Sequence, residues 1–199
     1  LLQELGDTYA VALAEHRELV RSAFAVHDGV EIGTEGDAFF SAFARATDAV
    51  AAAQEIQARL APGPISVRIG VHTGRPSIED DDYVGIDVHC VARICAAGHG
   101  RQVLLSKATV ESLDDVRVRE LGEHELRGLQ APERIFQLLR AERTDDFPVL
   151  RLPSAAGGDT YGEIDGRQKS SGTLRVTIAE DAVLLREGMA RLLRESGFE

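Results

Sequence analysis

Two short extended runs joined by a glycine-bounded turn, then an alanine-rich helix and a third strand, restrict the folds open to this chain more than any other feature. Val30-Glu31-Ile32 alternates as a half-buried strand does, Gly33-Thr34-Glu35-Gly36 makes a tight connection, and Asp37-Ala38-Phe39-Phe40-Ser41-Ala42-Phe43 reads as a second strand. Together they read as a β-hairpin. Residues 44–60 are good helix formers and stop at Pro62-Gly63-Pro64. Ile65, Val67, Ile69 and Val71 then alternate with Ser66, Arg68, Gly70 and His72 up to Thr73. Strand, strand, helix, strand predicts an α+β sandwich with a ferredoxin-like βαββαβ core, not a doubly wound parallel sheet. The first strand of such a core would precede Leu1, so the sheet is expected to lack it.

The remaining elements fit around that core. Leu2, Leu5, Tyr9, Leu13, His16 and Val20 recur at helical spacing over residues 2–24. An acidic loop, Glu79–Asp82, precedes a helix predicted from Gly85 to Ala97, ended by Gly98. Short strands follow at Val103–Leu105, Val116–Leu121 and Arg134–Leu139. Apolar periodicity then stops, and Pro, Gly, Ser and Asp dominate as far as Gly172, which reads as a flexible linker over 141–172. Leu174–Ala179 is a strand ending in Glu180-Asp181, and Leu184, Leu185, Gly188, Leu192 and Leu193 line a helix after it. The expected division is a main domain over 1–140, the linker, and a short βα unit over 173–199.

Charge and cysteine content remove several functional classes. A formal net charge of −11, with only Lys107 and Lys169 as lysines, argues against a nucleic-acid surface. No apolar run is long enough to cross a bilayer. Cys90 and Cys95 are five apart, which is neither a metal nor a redox spacing, and they read as buried thiols in a reducing cytoplasm.

Two places could carry chemistry. Asp37, at a glycine turn, is a candidate magnesium ligand because that ion prefers carboxylate oxygen; taken alone it reads first as a plain turn aspartate. His89 and Arg93 are four apart on an otherwise apolar helix and share one face. An arginine with a hydrogen-bonding neighbour suits a phosphate. The alternative is an ion pair with Asp87 or a neighbouring helix.

Four motifs in order give this pattern a family. Thr34-Glu35-Gly36-Asp37-Ala38-Phe39-Phe40, Val67-Arg68-Ile69-Gly70-Val71-His72-Thr73-Gly74, the block Asp82–Arg93, and Leu126-Arg127-Gly128-Leu129 with Pro132 resemble the class III adenylate/guanylate cyclase catalytic domain over residues 1–140. The resemblance implies conversion of a nucleoside triphosphate, ATP or GTP, to a cyclic nucleotide and pyrophosphate, with Mg2+ or Mn2+ held by two aspartates. Asp37 matches the second aspartate; the first would lie on the strand before Leu1. Arg93 matches the arginine that opposes charge developing on the phosphate, and His89 stands where an asparagine is usual. Asp82 matches the aspartate of an adenine-reading Lys–Asp pair, whose lysine position is Gly33. Arg127 matches a basic residue facing the polyphosphate. The resemblance further implies a homodimer with sites shared across its two-fold axis. Residues 173–199 resemble the start of a response-regulator receiver domain, with Glu180 and Asp181 as its magnesium-binding acidic pair. Gly33 and His89 keep a second reading open, in which the cyclase fold binds nucleotide or dimerises without turnover.

Overall fold

The computed structural model describes residues 2–35, 38–63, 65–75, 77–79, 82–84, 86–140, 146–152 and 175–182. Helix α1, Leu2–Val26, ends where Asp28 turns left-handed at φ 57° and the Gly29 N–H donates to Phe24 O at 2.7 Å. Strands β1, Val30–Glu35, and β2, Ala38–Phe43, form the expected hairpin. Gly33, Thr34 and Glu35, expected in the connection, instead extend β1, and Glu35 pairs with Ala38. Helix α2, Ala46–Leu60, crosses over to β3, Val67–Gly74.

Two three-residue strands, β4, Ser77–Glu79, and β5, Asp82–Val84, pair antiparallel at the acidic run. Helix α3, Ile86–Ala97, follows, then β6, Val103–Ser106, the single turn α4, Lys107–Glu111, β7, Val118–His124, and β8, Glu133–Leu138. The last described strand, β9, is Arg175–Ala182.

The large sheet has the order β1-β2-β9-β3-β6-β8-β7. β2 and β3 never pair directly; β9 lies between them and is antiparallel to both. The strand expected over Leu174–Ala179 thus runs on through Glu180-Asp181 to Ala182 inside the main sheet, not apart from it. The helix expected after Asp181 lies outside the described residues.

Alternation along the strands splits the core into two layers. Phe39 and Phe43 of β2 and Val67, Ile69 and Val71 of β3 pack with α1 and α2 on one face. Phe40 packs with Val91 and Cys95 of α3 on the other, and Leu104 and Ile135 join Cys90 and Ile94 there. Part of the predicted linker is tied down as well. The Arg151 N–H donates to Ala97 O at 2.9 Å, Phe147 stacks on His99, and Leu150 packs on the α3 cluster. Two apolar side chains suffice to anchor a stretch that composition alone reads as a spacer.

Candidate active site

Helix α3 reaches the sheet unusually closely because Gly70 permits it. A Cβ there would sit 2.7 Å from Cys95 N and 2.8 Å from Val91 O, both backbone atoms that cannot move aside. The approach turns Cys90, Val91, Ile94, Cys95 and Ala97 into the core and leaves His89 and Arg93 half-buried beside it. They are one turn apart, as their spacing predicts.

The start of α3 is fixed by a second contact. His72 Nε2, at the end of β3, lies 3.0 Å from Asp87 Oδ1, and the Arg75 N–H donates to Asp87 Oδ2 at 2.9 Å. Hydrogen bonding to His72 holds the Asp87 carboxyl below its usual range, helped by the His72 charge and the Arg75 N–H and opposed by burial. Gly74 is required beside this pair, since a Cβ would lie 2.3 Å from Asp87 Cγ. The His72–Asp87 contact was not anticipated. Its partners are fifteen residues apart, and the one local signal was an aspartate in the first turn of a helix that follows a strand ending in His-Thr-Gly.

Arg127 is exposed in the turn between β7 and β8, where the Leu129 N–H donates to Leu126 O at 3.0 Å and Gly128 takes φ 84°. Leu126 is buried against Cys90 and Ile94, which ties this turn to the helix carrying His89 and Arg93. Burial, with the charges of Glu133 and Asp87 adding, pushes the Cys90 thiol up to about 12, so it acts as an inert core residue. Both cysteines are buried and neither is in a disulfide.

Asp82 opens β5 opposite Glu79, in the hairpin that leads into α3. Gly33 pairs with Phe40, is exposed, and has open space where a Cβ would stand. Asp37 lies outside the described residues. On β9 the Glu180 backbone is in register with Phe39 and Ile69, and Asp181 with Arg68. Among the described residues no group of three or more His, Cys, Asp or Glu could hold a metal.

The first turn of α3 is anchored at Gly74, one end of β3, and the Val91–Cys95 turn, which includes Arg93, lies beside Gly70 in the middle of that strand.

The sequence profile of the family described as "Adenylate and Guanylate cyclase catalytic domain" matches residues 3–140. The chain belongs to that family. Rv0891c of Mycobacterium tuberculosis (strain H37Rv), an uncharacterized protein, is 39% identical over 163 residues, which cover 78% of this chain and 57% of that protein. The receptor-type adenylate cyclase GRESAG 4.2 of Trypanosoma brucei brucei is 30% identical over 85% of this chain and 39% of its own length. The chain thus spans little more than half the length of Rv0891c, and less of GRESAG 4.2. Among solved structures, adenylate cyclases from Trypanosoma brucei in their monomeric state superpose with TM-score 0.69 at 26% identity, over 76% of this chain and 87% of theirs. An adenylate/guanylate cyclase/hydrolase from Silicibacter pomeroyi gives 0.60 at 26% identity, over 68% and 87%. The α+β cyclase fold expected from the motif order is the fold observed. Among the described residues no helix is long and apolar enough to cross a membrane.

Proposed function

We propose that this chain is the catalytic part of a nucleotide cyclase that converts a nucleoside triphosphate, most readily ATP, to a cyclic nucleotide and pyrophosphate at a site shared by two copies. The observation that carries this reading is the pairing of His89 and Arg93 on one half-buried face of α3, in a chain of the cyclase family. The adenylate cyclases among its relatives support ATP as the substrate.

Arg93 opposes the charge that builds on the phosphate as the ribose oxygen attacks, and His89 donates one hydrogen bond from the adjacent turn. Arg127, on a turn tied to α3 through Leu126, meets the polyphosphate. Asp82, on the hairpin entering α3, accepts from the base. Asp37 would hold Mg2+ or Mn2+, ions that prefer carboxylate oxygen. When bound, the metal lowers the charge barrier to attack and steadies the leaving pyrophosphate. Glu180 and Asp181 lie in β9, which runs beside β2.

Assembly across a dimer is what the family resemblance implies for such a site. The hairpin turn of one copy would face α3 of the other, giving two equivalent sites. A non-catalytic nucleotide-binding role is favoured by Gly33, which offers no side chain to the base, and by His89 where an asparagine is usual. Incubation with Mn2+ and ATP or GTP separates the two readings. Cyclic nucleotide that disappears in Arg93→Ala, with the melting temperature within about 2 °C of wild type, supports the enzyme. Saturable nucleotide binding with no product supports the second reading.

A further inference from the structure

Alternate residues of β3 form the bed on which α3 lies. Strand geometry puts Arg68, Gly70, His72 and Gly74 on one face, and each of them meets the helix. Arg68 Nη1 donates to Ala96 O at 3.2 Å, near the C-terminus of α3, and Cys95 Sγ donates to Arg68 O at 3.4 Å. Gly70 stands close to the backbone of Val91 and Cys95, and Gly74 close to the Asp87 carboxyl. His72 Nε2 is 3.0 Å from Asp87 Oδ1. A carboxylate only accepts, so Nε2 carries a proton. The two glycines set how near the helix comes, and the polar contacts at its two ends set where along the strand it stops.

The His72–Asp87 bond is a costly way to hold a helix for stability alone. His72 is buried, and its other ring nitrogen, Nδ1, has no hydrogen-bond partner among the described residues. Burying an unpartnered polar atom opposes folding. Two apolar side chains of similar shape would join α3 to β3 without that penalty. They would not stop the helix from sliding, because dispersion contacts have no direction. A hydrogen bond does have one, and here the second oxygen of the same carboxylate accepts from the Arg75 N–H at 2.9 Å. The carboxylate is thereby held from two sides.

His89 and Arg93 depend on where the helix stops. Helical geometry turns them about 200° and 240° away from Asp87, on the side of α3 opposite the bed. The bond at Asp87 therefore acts on them through the placement of the helix. A shift of about 1 Å in a group that meets the transition state costs about a hundredfold in rate.

We propose that His72 and Asp87 are positioning residues for the cyclase reaction. Their hydrogen bond fixes the stop of α3 along β3, and with it the place of the Arg93 guanidinium against the reacting phosphate. The role rests on the cyclase reading of Arg93, and neither His72 nor Asp87 contacts the nucleotide itself.

The test compares three full-length chains with Mn2+ and ATP, at a temperature below all their melting transitions. His72→Gln keeps an N–H donor the same number of bonds from the backbone. The double variant His72→Leu/Asp87→Leu replaces the pair by apolar side chains. The double variant should melt within about 3 °C of wild type, since it buries neither a carboxylate nor an orphaned ring nitrogen. Its kcat per folded chain should nevertheless fall at least about tenfold, with KM within about threefold. His72→Gln should keep kcat within about threefold of wild type. Amide exchange over 90–93 should quicken in the double variant and stay unchanged in His72→Gln. A double variant that keeps both Tm and kcat overturns the proposal. So does a His72→Gln chain that loses kcat by tenfold, whether or not the double variant folds. A wild-type chain that forms no cyclic nucleotide sinks the cyclase reading instead. Exchange over 90–93 then still reads whether the pair places α3, and equal rates in all three chains overturn that as well.

Discussion

Replacing Asp87 with alanine should detach the first turn of α3 from the end of β3. The Asp87 carboxylate is 21% exposed and accepts from His72, itself only 9% exposed at its side chain, and from the Arg75 N–H. The bond to the buried imidazole is charge-assisted, and such bonds contribute about 1.5–3 kcal/mol. Arg75 is exposed, so water replaces the second bond at little cost. The expected loss is about 2 kcal/mol, which for a domain of this size lowers Tm by about 4–8 °C. The effect has a pH signature. The folded carboxyl titrates below its usual range, so Asp87 contributes stability above the unfolded value of about 3.9 and loses it as pH falls through the folded one. Urea denaturation at pH 7 and at steps below pH 4 reads this directly. The wild type should exceed Asp87→Ala by about 2 kcal/mol at pH 7, and the gap should shrink on acidification. Equal midpoints at pH 7, or a gap that widens below about pH 4, would refute the reasoning.

Gly70→Ala should destabilise by about 3 kcal/mol, since the new methyl group meets α3 backbone and not a movable side chain; an unchanged Tm in a thermal scan would show that α3 can shift at no cost. Gly33→Lys should leave Tm within about 2 °C, because the position is exposed and open. It should also raise the preference for ATP over GTP in competition binding, which starts within about tenfold, and an unaltered ratio would remove Gly33 from the base-reading pair.

The parts of this fold that were legible in the sequence are the ones set by neighbours in the chain. The hairpin over Val30–Phe43, the helix over Ala46–Leu60 and the alternation through Val67–Gly74 each carry their own period, and glycine or proline marks their ends. Helix α3 was legible for the same reason, and the His89–Arg93 face came with it. The place of β9 was not, because the residues that pair with Val176 to Glu180 lie more than 100 positions earlier and leave no local trace. The β4–β5 hairpin was hidden because three-residue strands in an acidic run look like solvated loop. The His72–Asp87 contact needed the end of β3 and the start of α3 to be brought together first. Asp37 and Asp82 were singled out by family resemblance; a turn aspartate and an acidic run carry no such signal alone.

The central claim, that two copies of this chain share a cyclase site, is tested most directly by mixing variants. Asp37→Asn and Arg93→Ala are each expected to abolish cyclic nucleotide formation alone. If the Asp37 turn of one copy faces α3 of the other, mixed dimers hold one site with both residues intact. Random mixing should then recover about a quarter of wild-type product. A mixture that stays as inactive as either variant alone, while wild type forms cyclic nucleotide and pyrophosphate in equal amounts, would contradict the shared site. A wild-type chain that forms neither product would contradict the cyclase reading itself.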